Sequence, residues 1–281
     1  MTNIVKESIR EGIVTYCKAK GISYSEFAVK AGMSPATISN MKNGKWERID
    51  DGLWQTVLQI VNPDNMSGLV KTGDFTTVYN VCEFAINNRF MVGLTADTGM
   101  GKTTALRAFA MRKNVFYVYI DTSVTPQNFI ENLLRDLGIS FYGSQYSKFN
   151  RVCQELNTLE QPLLIIDESG KLSAKMVLCL HSLRDKTKMN CGIVLAGMPK
   201  FKNELIRLRD AGRNGYSEFY RRINIWNELK GLQAEEISYI LEINGITDKE
   251  VKREFRRLTR FGDLTNEILL YKTLNFSGHD K

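Results

Sequence analysis

Ala96-Asp97-Thr98-Gly99-Met100-Gly101-Lys102-Thr103-Thr104 lies between a short apolar run, Phe90 to Leu94, and a helical pattern, Ala105 to Met111. Strand, glycine-containing loop and helix in that order are the setting of a phosphate-binding loop. Glycine lets backbone N–H groups approach phosphate oxygens closely, and the helix that follows points the positive end of its dipole at them. Lys102 is the point charge for the β and γ phosphates, and Thr103 the hydroxyl ligand for Mg²⁺. The whole stretch from Ala96 to Thr104 is the candidate nucleotide contact, with ATP and Mg²⁺ as the implied cofactors. Ala96 stands where the strict G-x-x-x-x-G-K-[ST] pattern has its first glycine; that residue ends a strand and has no need of positive φ.

A second stretch sharpens the first. Pro162-Leu163-Leu164-Ile165-Ile166-Asp167-Glu168 reads as a fully buried strand that ends in two adjacent carboxylates. Asp167 is placed to hold Mg²⁺, and Glu168 to orient and deprotonate an attacking water, so the expected chemistry is ATP hydrolysis. Further apolar runs, Val115 to Ile120 and Ile193 to Ala196, and a short fifth strand near Asn224 to Trp226 alternate with helical segments such as Gln127 to Leu137 and Ser147 to Leu156. This alternation predicts an α/β unit with a parallel sheet covered on both faces.

The chain has 281 residues, 43% of them hydrophobic, which is room for one large domain and a small one. No run of 18 apolar residues occurs, and Met1 to Arg10 lacks the pattern of a signal peptide, so the expected location is cytoplasmic with no membrane partner. Cys17, Cys82, Cys153, Cys179 and Cys191 form no C-x-x-C pair, and two histidines supply no zinc spacing. A net charge of +7 suits a polyanion without naming one.

Asn62-Pro63-Asp64-Asn65-Met66-Ser67-Gly68 gathers turn formers and breaks every period, so residues 62–73 read as a linker. Before it, residues 1–61 read as helical: Ile9, Ile13, Tyr16 and Cys17 keep helical spacing to a stop at Gly21, followed by helices from Tyr24 to Ala31 and Ser34 to Lys42. Ala28 is small at a helix crossing, Gly32 permits a tight turn, Ser34 caps the next helix with Pro35 in its first turn, and Asn43-Gly44 closes it. The segment from Ile22 to Lys45 thus resembles the helix-turn-helix of the phage repressor and Cro family. That resemblance implies that Pro35, Ala36, Thr37, Ser39, Asn40 and Lys42, with Lys45 nearby, face duplex DNA. These residues are small and polar without an arginine to fork onto guanine, so binding with little sequence preference is expected. Eight basic against six acidic residues in 1–61 leave a non-DNA interaction module as the alternative.

After the Asp167-Glu168 strand come Lys171-Leu172, Leu180 to Asp185, and Gly192 to Pro199, the order seen in AAA+ ATPases; with Asn88-Arg89-Phe90-Met91 before the phosphate loop, the chain most resembles the transposition ATPases of that class. The resemblance implies a core over residues 74–230 and a small helical lid over 231–281, preceded by the all-α helix-turn-helix domain. It also implies a homo-oligomer, helical filament or ring, in which Arg222 or Arg221 of one subunit enters the neighbour's nucleotide site, Arg222 being placed ahead. Two positions depart from the pattern: Ala196-Gly197 offers no polar side chain to the γ phosphate, and Thr265 stands where many relatives carry an arginine. Lys148 and Arg151, Arg112-Lys113, and a stripe of Lys252, Arg253, Arg256, Arg257 and Arg260 are further basic candidates for DNA or for a transposase, or are solvated faces.

The expected function is therefore that of an ATP-dependent DNA-binding ATPase that oligomerises on duplex DNA, selects target DNA and activates a transposase. A helicase-loading ATPase and an ATP-switched helix-turn-helix regulator are the alternatives.

Overall fold

A computed structural model describes residues 3–46, 49–61 and 70–276. The N-terminal unit holds α1 (Asn3–Lys20), α2 (Tyr24–Lys30), α3 (Pro35–Lys42) and α4 (Asp51–Val61). Its core joins Ile9 and Ile13 of α1 to Phe27, Ile38, Met41, Trp54 and Val57, all essentially inaccessible. Two caps set the turn geometry. Ser23 and Glu26 form a reciprocal capping box at α2, and the Ser34 hydroxyl accepts the Thr37 N–H at α3, each worth about 1 kcal/mol. Between the helices Gly32 takes φ +64°, so α2 and α3 meet across a tight turn.

The second unit runs α5 (Gly73–Asn88), β1 (Met91–Thr95), α6 (Lys102–Phe109), β2 (Val115–Tyr119), α7 (Pro126–Asp136), α8 (Gln145–Thr158), β3 (Leu163–Asp167), α9 (Ala174–Thr187), β4 (Gly192–Gly197), α10 (Pro199–Asp210), α11 (Tyr216–Arg221) and β5 (Ile223–Glu228). The five strands are parallel, in the order β2-β3-β4-β1-β5. Alternate residues serve opposite faces. Leu164, Ile166, Ile193 and Leu195 pack with α7 to α11, whereas Leu163, Ile165, Val194 and Ala196 pack with α5 and α6. This is the α/β architecture expected, with helices on both faces. At Gly93 a Cβ would fall 2.2 Å from the Trp226 ring, so only glycine lets β5 place that indole across β1.

A small helical lid follows, with α12 (Ala234–Ile243), α13 (Lys249–Phe255) and α14 (Phe261–Phe276) around Ile237, Ile240, Leu241, Phe255 and Leu264. Of the stretch read as a linker, residues 62–69 lie outside the described residues. Residues 70–72 are packed chain: Val70 joins the lid cluster, and the buried Thr72 caps α5 by accepting the Phe75 N–H. The buried Asp74 carboxylate then accepts the N–H groups of Lys230 and Gly231 at 2.9 and 2.8 Å, tying α5 to the hinge between core and lid.

The N-terminal unit sits on the edge of the core near β2. Lys20 donates to the carbonyls of Ala110 and Val115, Lys30 pairs with Asp136 of α7, and Met111 packs into the N-terminal cluster. A cavity of about 620 Å³ remains between the units, bordered by Tyr16, Lys20, Lys30, Arg107, Tyr117 and Asp136. No helix of the described residues is long and apolar enough to cross a membrane.

Candidate nucleotide-binding site

Ligands of open parallel sheets bind beyond the carboxyl ends of the strands, and both motifs converge there. β1 delivers the loop Ala96 to Gly101 and β3 delivers Asp167 and Glu168. Ala96 is buried and its N–H donates to the Gly197 carbonyl at 3.1 Å, extending the β1–β4 ladder by one residue. Alanine suits that extended position. Gly99 and Gly101, by contrast, take φ +83° and +77°, where a side chain would be strained. α6 starts at Lys102, so the helix N-terminus and the loop N–H groups face the same space.

Asp167 is completely buried, and four donors surround it. Its Oδ1 accepts Lys102 Nζ at 2.7 Å and the Glu168 N–H at 2.8 Å. Its Oδ2 accepts the Thr103 hydroxyl at 2.7 Å and the Tyr117 phenol at 2.9 Å. Burial by itself raises the carboxyl, but the Lys102 ammonium and the hydrogen bonds outweigh it and hold Asp167 below its ordinary range. The carboxylate is ionised and ready to face a cation. The Thr103 hydroxyl and the Asp167 carboxylate stand side by side, and a Mg²⁺ nucleotide site takes one or two such protein oxygens beside phosphates and water. Among the described residues no cluster of three histidine, cysteine or acidic side chains offers an all-protein cage.

Glu168 adopts φ +56° and ψ +37°, a left-handed conformation that costs a non-glycine residue of order 1 kcal/mol or more. The twist turns its carboxylate back toward the loop, with Lys102 Nζ 3.7 Å from Oε1 and Lys171 Nζ 3.5 Å from Oε2. The side chain is partly exposed, so water can reach the carboxylate.

The C-terminal helical unit touches the loop. The Gly262 N–H donates to the Gly99 carbonyl at 2.7 Å, and Arg260 Nη2 lies 3.4 Å from Asp97 Oδ2. Arg260 thus leaves the basic stripe and stands over the phosphate loop. Thr265 turns its hydroxyl onto the Phe261 and Gly262 carbonyls of its own helix. At the end of β4, Gly197 packs beside Phe201 and Gly170. Lys102, Thr103, Asp167 and Glu168 are therefore together, while Arg221 and Arg222 belong to the α11–β5 junction.

Those arginines differ. Arg222 is held by Asp185 through Nε and Nη2, both at 2.7 Å, and donates Nη1 to the Glu218 carbonyl at 2.6 Å. Arg221 is exposed, and among the described residues its side chain has no ion pair. Sequence reasoning placed Arg222 first; in the isolated chain the exposed arginine is its neighbour. On α3, Pro35, Ala36, Ser39 and Asn40 are exposed, Thr37 is half-buried beside the Ser34 hydroxyl, and Lys42 lies over the Tyr24 ring; Lys45, just past the helix, is exposed. Other basic candidates have partners in this chain. Lys148 pairs with Glu131, Arg151 with Glu155, Lys252 with Glu242, Arg257 with Glu254 and Arg112 with Glu83, and the Lys113 stem borders Gly21.

A family model described as AAA domain matches residues 87–205, the span that contains the loop, the Asp167-Glu168 strand and β4. Over 264 residues the chain is 24% identical to the ATP-dependent target DNA activator B of Escherichia phage Mu, a match covering 88% of this chain and 81% of that protein. The activator B of Escherichia phage D108 matches to the same extent. The chain resembles these proteins along most of its length. Among solved structures, AMPPCP-bound DnaA from Aquifex aeolicus shares the fold with a TM-score of 0.50 at 18% identity, covering 75% of this chain and 65% of that one. Sequence reasoning missed Tyr117 beside Asp167 and Asp74 beneath Lys230 and Gly231, and it read Arg260 only as part of a basic stripe. None lies in a motif, because each acts through a contact distant in sequence.

Proposed function

We propose that this chain is an ATP-hydrolysing, DNA-binding protein that assembles on duplex DNA with little sequence preference, marks it as a target and activates a transposase. The observation that carries the reading is one body that joins a phosphate loop with paired catalytic carboxylates to a helix-turn-helix whose α3 face is open. The likeness to proteins named ATP-dependent target DNA activators supports it.

Lys102 is engaged by Asp167. ATP draws Lys102 onto its β and γ phosphates, so the triphosphate replaces one buried partner with another. Thr103 and Asp167 would hold Mg²⁺, which would supply charge neutralisation for the transferring group. Glu168 orients the attacking water and takes its proton. Arg221 or Arg222 of an adjacent subunit, in a helical filament or ring, stabilises the charge that develops on the phosphoryl oxygens. ATP is then a linkage ligand for the DNA-competent oligomer, and hydrolysis dissolves it. On the DNA side, Pro35, Ala36, Thr37, Ser39, Asn40, Lys42 and Lys45 present a mainly polar surface to the duplex. Lys148 and Arg151 serve as contacts only if DNA displaces Glu131 and Glu155.

Electron microscopy of the protein with random duplex, with ATP or a non-hydrolysable analogue, tests the scheme. Nucleotide-dependent assemblies on any duplex are expected, and Lys102→Ala should abolish them. Assembly by Lys102→Ala refutes nucleotide gating. A preference for single strands points to a helicase loader, and one site favoured roughly 10³-fold or more points to a regulator.

A further inference from the structure

Tyr117 has a place in the site that no motif assigns. It sits on β2, an edge strand of the sheet, and the β2–β3 register pairs Val118 with Ile166 and Tyr119 with Asp167. From there its phenol reaches Asp167 Oδ2 at 2.9 Å. The aromatic ring packs against the core cluster on the α5 and α6 face, with the Arg107 guanidinium of α6 at 5.5 Å from its centroid.

Of the four donors on Asp167, two have other duties once a nucleotide is present. Lys102 goes to the phosphates and Thr103 to the cation. The remaining pair are the Glu168 N–H on Oδ1 and the Tyr117 hydroxyl on Oδ2, one for each oxygen and both carried by the sheet or its immediate end. We propose that Tyr117 is the positioning residue that fixes the plane of the Asp167 carboxylate for the divalent cation carried by the nucleoside triphosphate. Without the phenol, Oδ2 is left with a hydroxyl that the cation itself recruits, and the carboxylate can rotate about its terminal bond. Outer partners of metal ligands typically contribute 10- to 100-fold in metal affinity. This inference rests on the nucleotide reading of the site.

Tyr117→Phe deletes one oxygen and keeps the ring. The test is calorimetric binding of a non-hydrolysable ATP analogue at stepped Mg²⁺ concentrations, with a melting curve of the nucleotide-free protein as control. The expected result is a Mg²⁺ midpoint raised about 10-fold or more, with metal-free analogue affinity unchanged. A steady-state assay should show kcat reduced at low Mg²⁺ and largely restored by excess Mg²⁺. An unchanged Mg²⁺ midpoint overturns the proposal, even if the melting point falls, because a purely structural phenol moves stability alone. Equal loss of metal-free and metal-dependent binding also overturns it. Mg²⁺-independent binding by the wild-type protein overturns the proposal alone, whereas no binding of the analogue at any Mg²⁺ concentration means that the nucleotide reading itself fails.

Discussion

Removal of Lys102 should cost the nucleotide-free protein stability as well as ligand binding. The Lys102 ammonium and the Asp167 carboxylate are 2.7 Å apart, with side chains 7% and 0% exposed. Breaking a buried pair by deleting one partner costs about 3–5 kcal/mol, because the survivor is an uncompensated buried charge. Here three donors remain, from Thr103, Tyr117 and the Glu168 backbone, which places Lys102→Met near the lower end at about 3 kcal/mol. Methionine keeps the aliphatic stem, so lost packing contributes little. Urea unfolding without nucleotide should show this loss, with a melting point about 6–12 °C lower. Asp167→Asn combined with Lys102→Met should recover part of it, since the orphaned charge is gone. Acid provides a second check. Asp167 is held below its ordinary range, so its contribution is present above the unfolded carboxyl value near ~4 and is lost as pH falls through the folded value. In Lys102→Met burial dominates and the carboxyl rises, so the gap between variant and wild type should narrow in acid. A variant within about 0.5 kcal/mol of wild type at neutral pH, or a strictly additive double variant, refutes the argument.

Three further expectations are open to direct measurement. Glu168→Gln should bind Mg-ATP while hydrolysis falls by about 10²- to 10⁴-fold, leaving long-lived assemblies on DNA; rapid disassembly removes Glu168 as the base. Arg221→Ala should lower turnover about 10³-fold or more without weakening nucleotide binding, whereas Arg222→Ala should chiefly loosen the α11 junction by freeing Asp185. The reverse result means that Arg222 leaves Asp185 when subunits assemble. Lys20, buried beside Lys30 and Asp136 where the two units meet, is pushed down to about 7. Undocked it returns near ~10.4, so the undocked form binds more protons; docking should strengthen as pH rises from 7 toward 10 and weaken as pH falls through 7. Energy transfer between dyes on α3 and α7 reads this directly, and a pH response that survives in Lys20→Met refutes it.

What the sequence displayed and what it hid follow from the range of the interactions. Gly99 and Gly101 are legible because a backbone at φ near +80° admits few other residues, and Asp167-Glu168 because an apolar strand seldom ends in two carboxylates. The alternate faces of β3 and β4 were legible only as continuous apolar runs, since helices cover both sides and no polar phase remains. Arg221 and Arg222 mark the opposite case. One residue along α11 rotates a side chain by about 100°, and only the folded junction puts Asp185 opposite the second arginine. Tyr117 reads as an ordinary strand aromatic until the β2–β3 register brings its hydroxyl to Asp167. Lys20 reads as a solvated helix end, yet its ammonium meets carbonyls some ninety residues away in the chain.

The same contacts connect the two ends of α6. Its first residue, Lys102, holds Asp167 across the phosphate site, and the carbonyl that caps its far end, Ala110, accepts Lys20 from the N-terminal unit. A helix of eight residues is one rigid element, so any shift of its first turn on nucleotide binding is carried to Ala110. Arg107 and Tyr117 lie between these ends and line the cavity beneath the N-terminal unit. A two-state coupling built this way is reciprocal: if ATP alters how α1 and α2 dock, then anything that fixes the N-terminal unit, duplex DNA on α3 included, must alter ATP affinity by the same factor. Nucleotide affinity measured with and without random duplex therefore bears on docking as much as on catalysis. The variant that separates the two is Lys20→Met, which touches neither the nucleotide nor α3.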